Sequence, residues 1–470
     1  MEKDVRKIRK IMIDKKIIKQ LKKIVGSQWV YLSPEERLCY SYDAARQESL
    51  PEVVVKPSSA EEISQILKLA NQYLIPIYPR GAGTGMSGGS VPLEGGIALV
   101  MTRMNRILEI DTENLTATVE PGVITADLQK AVEKKGLFYP PDPASVKFST
   151  IGGNVAESAG GLRCLKYGTT KDYILKLEAV LPTGEIITTG AKTMKSVVGY
   201  DLTRLLVGSE GTLAVITKIT IKLIPQPEFK KTMMVTFNDI LEAGQTVSDI
   251  IKNNIIPSAL EFIDREGTNC LREYAYPELT PAGALLLVEL DGSEEEVVKD
   301  VEKVRQICQK NEAQNIEVAA SEKESEKIWD IRRAISPSLY QIAPHKINED
   351  ICVPRSKIPE MIKIINQISE QSGLKIITFG HAGDGNLHVN IMTDLNQPGE
   401  REKVNQSIKK LFQAALNLEG TISGEHGIGT TKSSFLSMEI GKVELELMKK
   451  IKKVLDPNNI LNPGKIFPEN

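Results

Sequence analysis

The sequence predicts an α+β fold spread over more than one domain, on three observations. Its 470 residues exceed what one hydrophobic core ordinarily organises. From Pro51 to Ile224, short strands and hairpins alternate with turns rich in glycine and proline. Beyond Pro225-Gln226-Pro227 the order becomes strand, helix, strand, strand, helix, strand, which is that of a split-βαβ, ferredoxin-like sheet.

Each element has a local reason. Residues 1–24 hold ten Lys/Arg against three acidic residues, and Val5, Ile8, Met12 and Ile18 fall roughly on one helical face. That stretch is either a surface helix packed by its stripe or a docking arm for an acidic partner or an anionic membrane surface. Val53-Val54-Val55 reads as a strand, Ala60 to Tyr73 as a helix opened by Ser58/Ser59, and Ile75 to Tyr78 as a second strand. Ile107–Ile110 and Ala117–Glu120 make one hairpin, and Leu177–Leu181 and Glu185–Thr188 another. Leu213 to Ile224 alternates as a strand. Past the prolines come Thr232–Phe237, the helix Leu241–Lys252, the strands Ala259–Ile263 and Ala284–Leu290, the helix Ser293–Lys310 and the strand Ile316–Ala320. A lysine-rich helix near 442–454 precedes Asp456-Pro457 and Asn462-Pro463-Gly464.

Composition is that of a globular chain, 41% apolar and 26% charged. The net charge of −2 gives no nucleic-acid signature. The five cysteines are dispersed, without a C-x-x-C pair, which argues against an iron–sulfur or cysteine-zinc site and for a reducing compartment. No apolar run approaches the ~18–20 residues of a membrane span, and no signal-peptide core is present. The expected location is cytoplasmic.

Three small-residue clusters point to a large anionic cofactor. The first is Pro79-Arg80-Gly81-Ala82-Gly83-Thr84-Gly85-Met86-Ser87-Gly88-Gly89. Backbone so rich in glycine turns its N–H groups toward an anion with no side chain in the way; a merely flexible loop is the alternative. Gly83 to Gly88 matches G-x-G-x-x-G, but Val91-Pro92-Leu93-Glu94-Gly95-Gly96 follows where a dinucleotide-binding unit needs a helix. The second cluster runs through Pro141, Asp142, Ser145, Thr150, Gly152, Gly153, Asn154, Ser158, Ala159, Gly160 and Gly161. The third holds Glu210 and Gly211, with Ile216 after it. Three such clusters separated by hairpins suggest an extended ligand such as FAD.

Histidine is used sparingly. Of four, three lie in His381-Ala-Gly-Asp-Gly-Asn-Leu-His388 and Ser423-Gly-Glu425-His426-Gly. Imidazole is both the usual neutral metal ligand and the usual proton carrier near neutral pH.

Together these motifs resemble the FAD-linked oxidase family with a vanillyl-alcohol-oxidase/PCMH-type FAD domain. Within it they resemble the branch of the glycolate oxidase large subunit, D-lactate dehydrogenase and D-2-hydroxyglutarate dehydrogenase. The resemblance covers residues ~50–468. It implies a PCMH-type FAD-binding domain of two α+β subdomains and a ferredoxin-like α+β cap. The expected division is an N-terminal helical arm over 1–50, the FAD domain over 51–226, a substrate domain over 227–430, and a segment over 431–470, including Asn462, that returns to the FAD domain. No histidine precedes residue 345, so the FAD is expected to be non-covalent.

His381 and His388 read as a strand–turn–strand pointing both imidazoles inward, with Glu425 adding an oxygen; two histidines and a carboxylate suit a divalent ion with open positions. A polar cluster without metal is the alternative. In metal-containing members of the family the residues matching these three bind the ion, here zinc, iron(II) or manganese. His426 resembles the family's base; on extended backbone it would point away from Glu425. Arg332, in Trp329-Asp330-Ile331-Arg332-Arg333, resembles the substrate arginine, with Ser336 one turn on and Lys346 matching a substrate lysine. Asn390 is expected on the face of His388. The expected reaction is oxidation of a small 2-hydroxy acid, D-lactate first, with glycolate and D-2-hydroxyglutarate as rivals. His426 takes the hydroxyl proton and hydride passes to the flavin. The expected electron acceptor is an electron-transferring flavoprotein, with a quinone or an iron–sulfur subunit as alternatives.

Overall fold

The computed structural model describes residues 13–45 and 47–467. Val5, Ile8 and Met12 of the expected N-terminal stripe lie outside the described residues. Helix α1 (Lys15–Val25) starts at Asp14, whose side chain accepts from the amides of Lys16 and Ile17. Its buried face is Ile17, Leu21 and Val25, spaced one helical turn apart, with Ile18 at the rim.

Strands β1 (Val30–Tyr31), β2 (Val53–Val55), β3 (Ile77–Arg80) and β4 (Ile97–Val100) form one sheet in the order β1-β2-β4-β3. β1 is antiparallel to β2, with Val30 opposite Val55, and the other pairs are parallel. Where the sequence suggests a separate arm over 1–50, the described part supplies an edge strand and a packed helix to this sheet. Helix α2 (Ala60–Tyr73) crosses from β2 to β3 and packs on α1. The strand expected from Ile75 begins at Ile77, because Leu74 takes φ 54° to close α2 and Pro76 has no N–H to offer.

The second sheet joins β5 (Ile107–Asp111), β6 (Thr116–Val119), β7 (Ile174–Val180), β8 (Ile186–Gly190) and β9 (Val215–Lys222) in the antiparallel order β5-β6-β9-β7-β8. Both expected hairpins form. The stretch from Thr150, which the sequence offers as a loop, opens helix α3 (Ile151–Glu157) instead. Thr150 Oγ1 accepts from the Gly153 amide at 3.3 Å, and Val155 anchors the helix in the core.

The third sheet has seven strands. β10 (Phe229–Phe237), β11 (Ala259–Asp264), β12 (Ala284–Gly292) and β13 (Asn315–Val318) lie in the ferredoxin-like order β13-β10-β12-β11. β14 (His345–Cys352), β15 (Lys375–His381) and β16 (Asn386–Thr393) extend it beyond β11 in the order β15-β16-β14. One feature departs from the expected order: helix α5 (Arg265–Tyr274) intervenes between β11 and β12. Asp264 caps it by accepting from the Gly267 amide at 2.7 Å, and Gly267, Thr268, Cys270 and Leu271 face inward.

The two faces of this sheet differ. One is covered by α4 (Ile240–Lys252), α6 (Glu294–Lys310), α8 (Ile358–Ser372) and α9 (Glu400–Asn417) over a continuous apolar core. The other is half covered by α5 and α7 (Glu322–Ser338), which bury Met234, Ile263, Leu285, Ile377 and Phe379. The uncovered half is polar and faces the first two sheets. There the short helix Cys164–Tyr167 meets the sheet: Lys166 Nζ lies 2.5 Å from Asp291 Oδ1, and Tyr167 Oη donates to Oδ2 at 2.8 Å.

The last segment runs back to the first sheet. After α10 (Lys442–Leu455), the Ile77 amide donates to Ile460 O at 2.7 Å and the Asn462 amide to Ile77 O at 2.7 Å. The joint is a buried ion pair. Lys452 Nζ donates to Asp456 Oδ2 at 2.5 Å, to Leu461 O at 2.7 Å and to Thr212 O at 2.9 Å. Among the described residues no helix is long and apolar enough to cross a membrane.

Replacing Lys452 by Met takes the cation from the buried Asp456 carboxylate, leaving it only the amides of Ile460 and Leu461, and unpairs two carbonyls. Urea denaturation is expected to show a loss of about 3–5 kcal/mol, the usual consequence of removing one partner of a buried pair.

Candidate functional site

The first two sheets and the turn at Glu425 and His426 line a cleft of about 1320 Å³, open mouth included. Residues 79–85 and Gly89 line it, with Ser145, Thr150, Gly152, Gly153, Asn154, Ala159, Gly160, Glu210, Gly211 and Ile216. The other residues expected at the cofactor stand behind this wall. Asn462 Nδ2 donates to Gly89 O at 2.9 Å and Glu210 O at 2.7 Å, and Lys465 Nζ donates to Gly88 O at 2.6 Å. Asp142 packs its carbonyl against Gly161 and pairs with Arg163 at 3.8 Å. Pro141 O accepts from Gln129 at 3.0 Å, and Ser158 closes α3 at φ 52°. Ser87 Oγ is sealed without a partner among the described residues. A cleft floored by glycine backbone, with polar side chains such as Thr84, Ser145 and Asn154 on its wall, fits an extended polar cofactor such as FAD.

Two residues from beyond residue 227 reach this cleft, Glu425 and His426. They belong to the polar half-face of the seven-stranded sheet. Alternation along the strands puts Glu261, His381, His388 and Asp350 on that face in register: Glu261 opposite His381, and His388 opposite Asp350. Three donor atoms converge there. His381 Nε2 and His388 Nε2 are 3.4 Å apart, and Glu425 Oε1 is 3.5 Å from the first and 3.4 Å from the second. Ligands ~2.0–2.2 Å from a tetrahedral ion are separated by roughly 3.3–3.6 Å, so the donor set matches a divalent ion. Glu261 Oε1 contacts His381 Nδ1 at 2.5 Å, which aims the Nε2 side of the ring at this point.

Charge follows the same geometry. Burial opposes the charged form of Glu425, but His381, His388 and His426 outweigh it and hold its carboxyl down at about 2. Burial, with His381 and His426 nearby, pushes His388 down to about 3, which leaves a neutral imidazole. Burial also opposes a charge on His381, yet Glu261 and Glu425 on its two nitrogens raise it well above the usual range. Asp350, His388 and His426 form a second candidate triad sharing His388. Its carboxylate is already committed to backbone amides, which favours the first set.

Those amides shape the base. Asp350 Oδ2 accepts from the N–H groups of Gly424 at 3.0 Å, Glu425 at 2.9 Å and His426 at 2.9 Å. Asn386 Nδ2 donates to its other oxygen at 2.6 Å. Three consecutive amides on one oxygen require a turn, so the extended backbone expected at Glu425–His426 is not present. The two side chains share one pocket: His426 Nε2 lies 4.0 Å from Glu425 Oε1 and Nδ1 lies 3.9 Å from Asp350 Oδ2. The His426 ring stacks on His388 with centroids 5.4 Å apart. On the far side Glu210 accepts from the amides of Ile428 at 2.8 Å and Gly429 at 2.7 Å.

The expected substrate residues separate. Arg332 Nε donates to Glu261 Oε2 at 2.7 Å and its guanidinium lies 4.8 Å above the Phe379 ring, at the edge of the cluster. Arg333 points away, exposed, to Asp330. Lys346 Nζ donates to Ser336 Oγ at 2.6 Å. Asn390 is fully buried and spends its amide on Ile377 O and His388 O, with Asn348 on its oxygen. The fourth histidine, His345, accepts from the Leu395 amide at 3.2 Å at the sheet edge. Glu261 and Asp350 were not foreseen. For Glu261 the signal is an acid inside the apolar run Ala259–Ile263; Asp350 lies in a strand of mixed polarity and has none.

Asp350→Ala removes the acceptor of three inward amides. Unfolding in urea is expected to show a loss of about 3 kcal/mol or more, and Asp350→Asn, which retains an oxygen, to recover at least half of it.

Residues 51–190 match the family model described as FAD binding domain, and residues 226–466 that described as FAD linked oxidases, C-terminal domain. The chain is 50% identical over 458 residues to glycolate oxidase subunit GlcD of Bacillus subtilis, covering 97% of each. It is 39% identical over 425 residues to a D-lactate dehydrogenase of Anaerostipes hadrus, covering 88% of this chain and 89% of that one. A crystal structure of p-cresol methylhydroxylase with substrate bound superposes with a TM-score of 0.81 at 18% identity, over 96% of both chains, and so shares the fold. On the matched domains and on relatives that cover nearly its whole length, the chain belongs to the FAD-linked oxidase family.

Proposed function

We infer that this FAD-dependent oxidoreductase oxidises a small 2-hydroxy acid to the 2-oxo acid, with His426 as base and a divalent ion held by His381, His388 and Glu425. One observation carries the reading. Glu425 and His426 line the FAD cleft and also belong to the histidine cluster, so proton and hydride chemistry meet at one place.

Bound FAD supplies the hydride acceptor, and a divalent ion at the cluster supplies Lewis acidity toward the substrate hydroxyl. His426 takes the hydroxyl proton at a ring nitrogen, with Asp350 and Glu425 on either side of the ring. Arg332 offers its outer guanidinium nitrogens to the substrate carboxylate, while Glu261 holds the inner one. The same Glu261 orients His381, so the carboxylate site and the ligand set share one support. Lys346 and Ser336 form the next polar pair along the face.

Glycolate is the first substrate in this reading, on the 50% identity to the Bacillus subtilis protein over 97% of both chains. D-lactate is the second, on relatives named D-lactate dehydrogenase at 39% and 41% identity. FAD is taken as non-covalent, since His426, the one histidine lining the cleft among the described residues, is assigned as the base. The five cysteines are free and scattered. Electrons therefore leave to an external acceptor, with an electron-transferring flavoprotein placed first and a quinone or iron–sulfur subunit second.

The test is anaerobic stopped-flow absorbance of the FAD-loaded protein with glycolate, D-lactate, L-lactate and D-2-hydroxyglutarate. Rapid bleaching near 450 nm, abolished by chelator and restored by metal, is expected with glycolate or D-lactate. His426→Asn should keep FAD but slow bleaching at least 100-fold; fast bleaching in that variant would sink the base assignment. Glu261→Gln should lower metal affinity about 10–100-fold while FAD stays bound, as metal analysis after dialysis will show.

A further inference from the structure

One acid on the wall of the cleft is unspent. Glu157 ends α3, and its Oε2 is sealed from solvent without a hydrogen-bond partner among the described residues. Its carboxyl stands between two loops. A Cβ at Gly89 of the glycine-rich loop would lie 3.0 Å from Oε1, and one at Gly427 would lie 2.6 Å from Oε2. Gly427, at φ 81°, follows the base directly. The acid therefore sits where the glycine-rich loop meets His426.

Among the described residues no hydrogen-bond donor is paired with Oε2, and the nearest charges are of the same sign. Glu210 Oε1 would lie 3.0 Å from the same Gly427 Cβ, and it already serves the amides of Ile428 and Gly429. Lys465 is turned to the carbonyls of Gly88 and Val91. Burial first, then the charges of Glu210 and Asp43, push the Glu157 carboxyl well above the usual range. A protonated acid has an O–H to donate, and leaving it unmade costs about 1–3 kcal/mol. Oε2 itself is sealed, but Glu157 also lines the cleft, so a rotation of its carboxyl carries the O–H to the cleft side, where a partner has room to stand.

We propose that Glu157 is a cofactor-binding residue that, as an uncharged acid, hydrogen-bonds the isoalloxazine end of FAD and favours the reduced flavin. The placement rests on the reading above that the flavin ring lies beside His426. Hydride addition turns the ring's N5 into an N–H and leaves the negative charge on N1 and the C2 carbonyl, so an O–H donor to that locus binds the reduced form more tightly. No proton needs to leave Glu157 in the reaction.

The test uses FAD-loaded, full-length Glu157→Gln and Glu157→Leu, reduced by an enzymatic dye-coupled system without any hydroxy acid. The readouts are FAD dissociation constant, visible spectrum and midpoint potential. Glu157→Gln retains a neutral donor and is expected to change the reduced-to-oxidised preference less than threefold. Glu157→Leu is expected to lose tenfold or more, a fall of about 30 mV for a two-electron couple. A rise of 30 mV or more in Glu157→Gln would show that a carboxylate had been removed and would overturn the proposal. So would an unchanged potential and spectrum in Glu157→Leu. If Glu157→Leu fails to retain FAD, the Glu157→Gln potential alone decides between acid and carboxylate. Because no substrate is used, failure of every hydroxy acid to bleach the flavin would count against the substrate reading and leave this result intact.

Discussion

The site depends on one short turn held between two buried carboxylates. Asp350, from the seven-stranded sheet, takes the amides of residues 424–426, and Glu210, from the cleft wall, takes those of 428 and 429. Five N–H groups are thus satisfied by acids from opposite sides of the turn. A buried amide without a partner is costly, so neither side can shift without losing bonds it cannot replace. The turn carries Glu425 and His426, and the relation between cleft and histidine cluster is set by this clamp. Gly160 adds a limit from the FAD side: a Cβ there would lie 2.7 Å from Glu425 Oε2.

The sheet beneath shows how one architecture supports both stability and chemistry. Period-two alternation sends Ile347, Ile351, Leu387, Val389 and Ile391 to the apolar face and Asp350, His388 and Asn390 to the other. Helices α5 and α7 cover only half of that second face. The remainder keeps charged groups at low exposure because each has a designated partner: Glu261 between His381 and Arg332, Asp350 among amides and Asn386. Burial there raises the cost of every unpaired charge, which makes the pairing specific.

Much of this was legible in the residues. The glycine loops, the two histidine motifs and the split-βαβ order announce themselves because turns and alternation leave local patterns. Arg332 was separable from Arg333 only through its motif; the structure adds the reason, one helical step that turns Arg332 to Glu261 and Arg333 to solvent. What stayed hidden was pairing between distant strands. Nothing near Glu261 in sequence points to His381, 120 residues on. Asp350 gave no sign of the turn it organises 74–76 residues later, so the backbone at His426 read as extended. Helix α5 was missed because its polar first turn, Arg265-Glu266-Gly267-Thr268-Asn269, looks like a loop until Asp264 is seen to cap it.

The returning segment has a consequence for the order of biogenesis. The glycine-rich loop is backed by Asn462 and Lys465, which follow it by 373 and 377 residues. During synthesis the chain emerges from its N-terminus, and this loop waits through the whole of the seven-stranded domain for its support. The cleft wall is complete only when nearly all of the chain has been released. A nascent chain stalled before residue 462 would present the glycine-rich loop without the two side chains that back it.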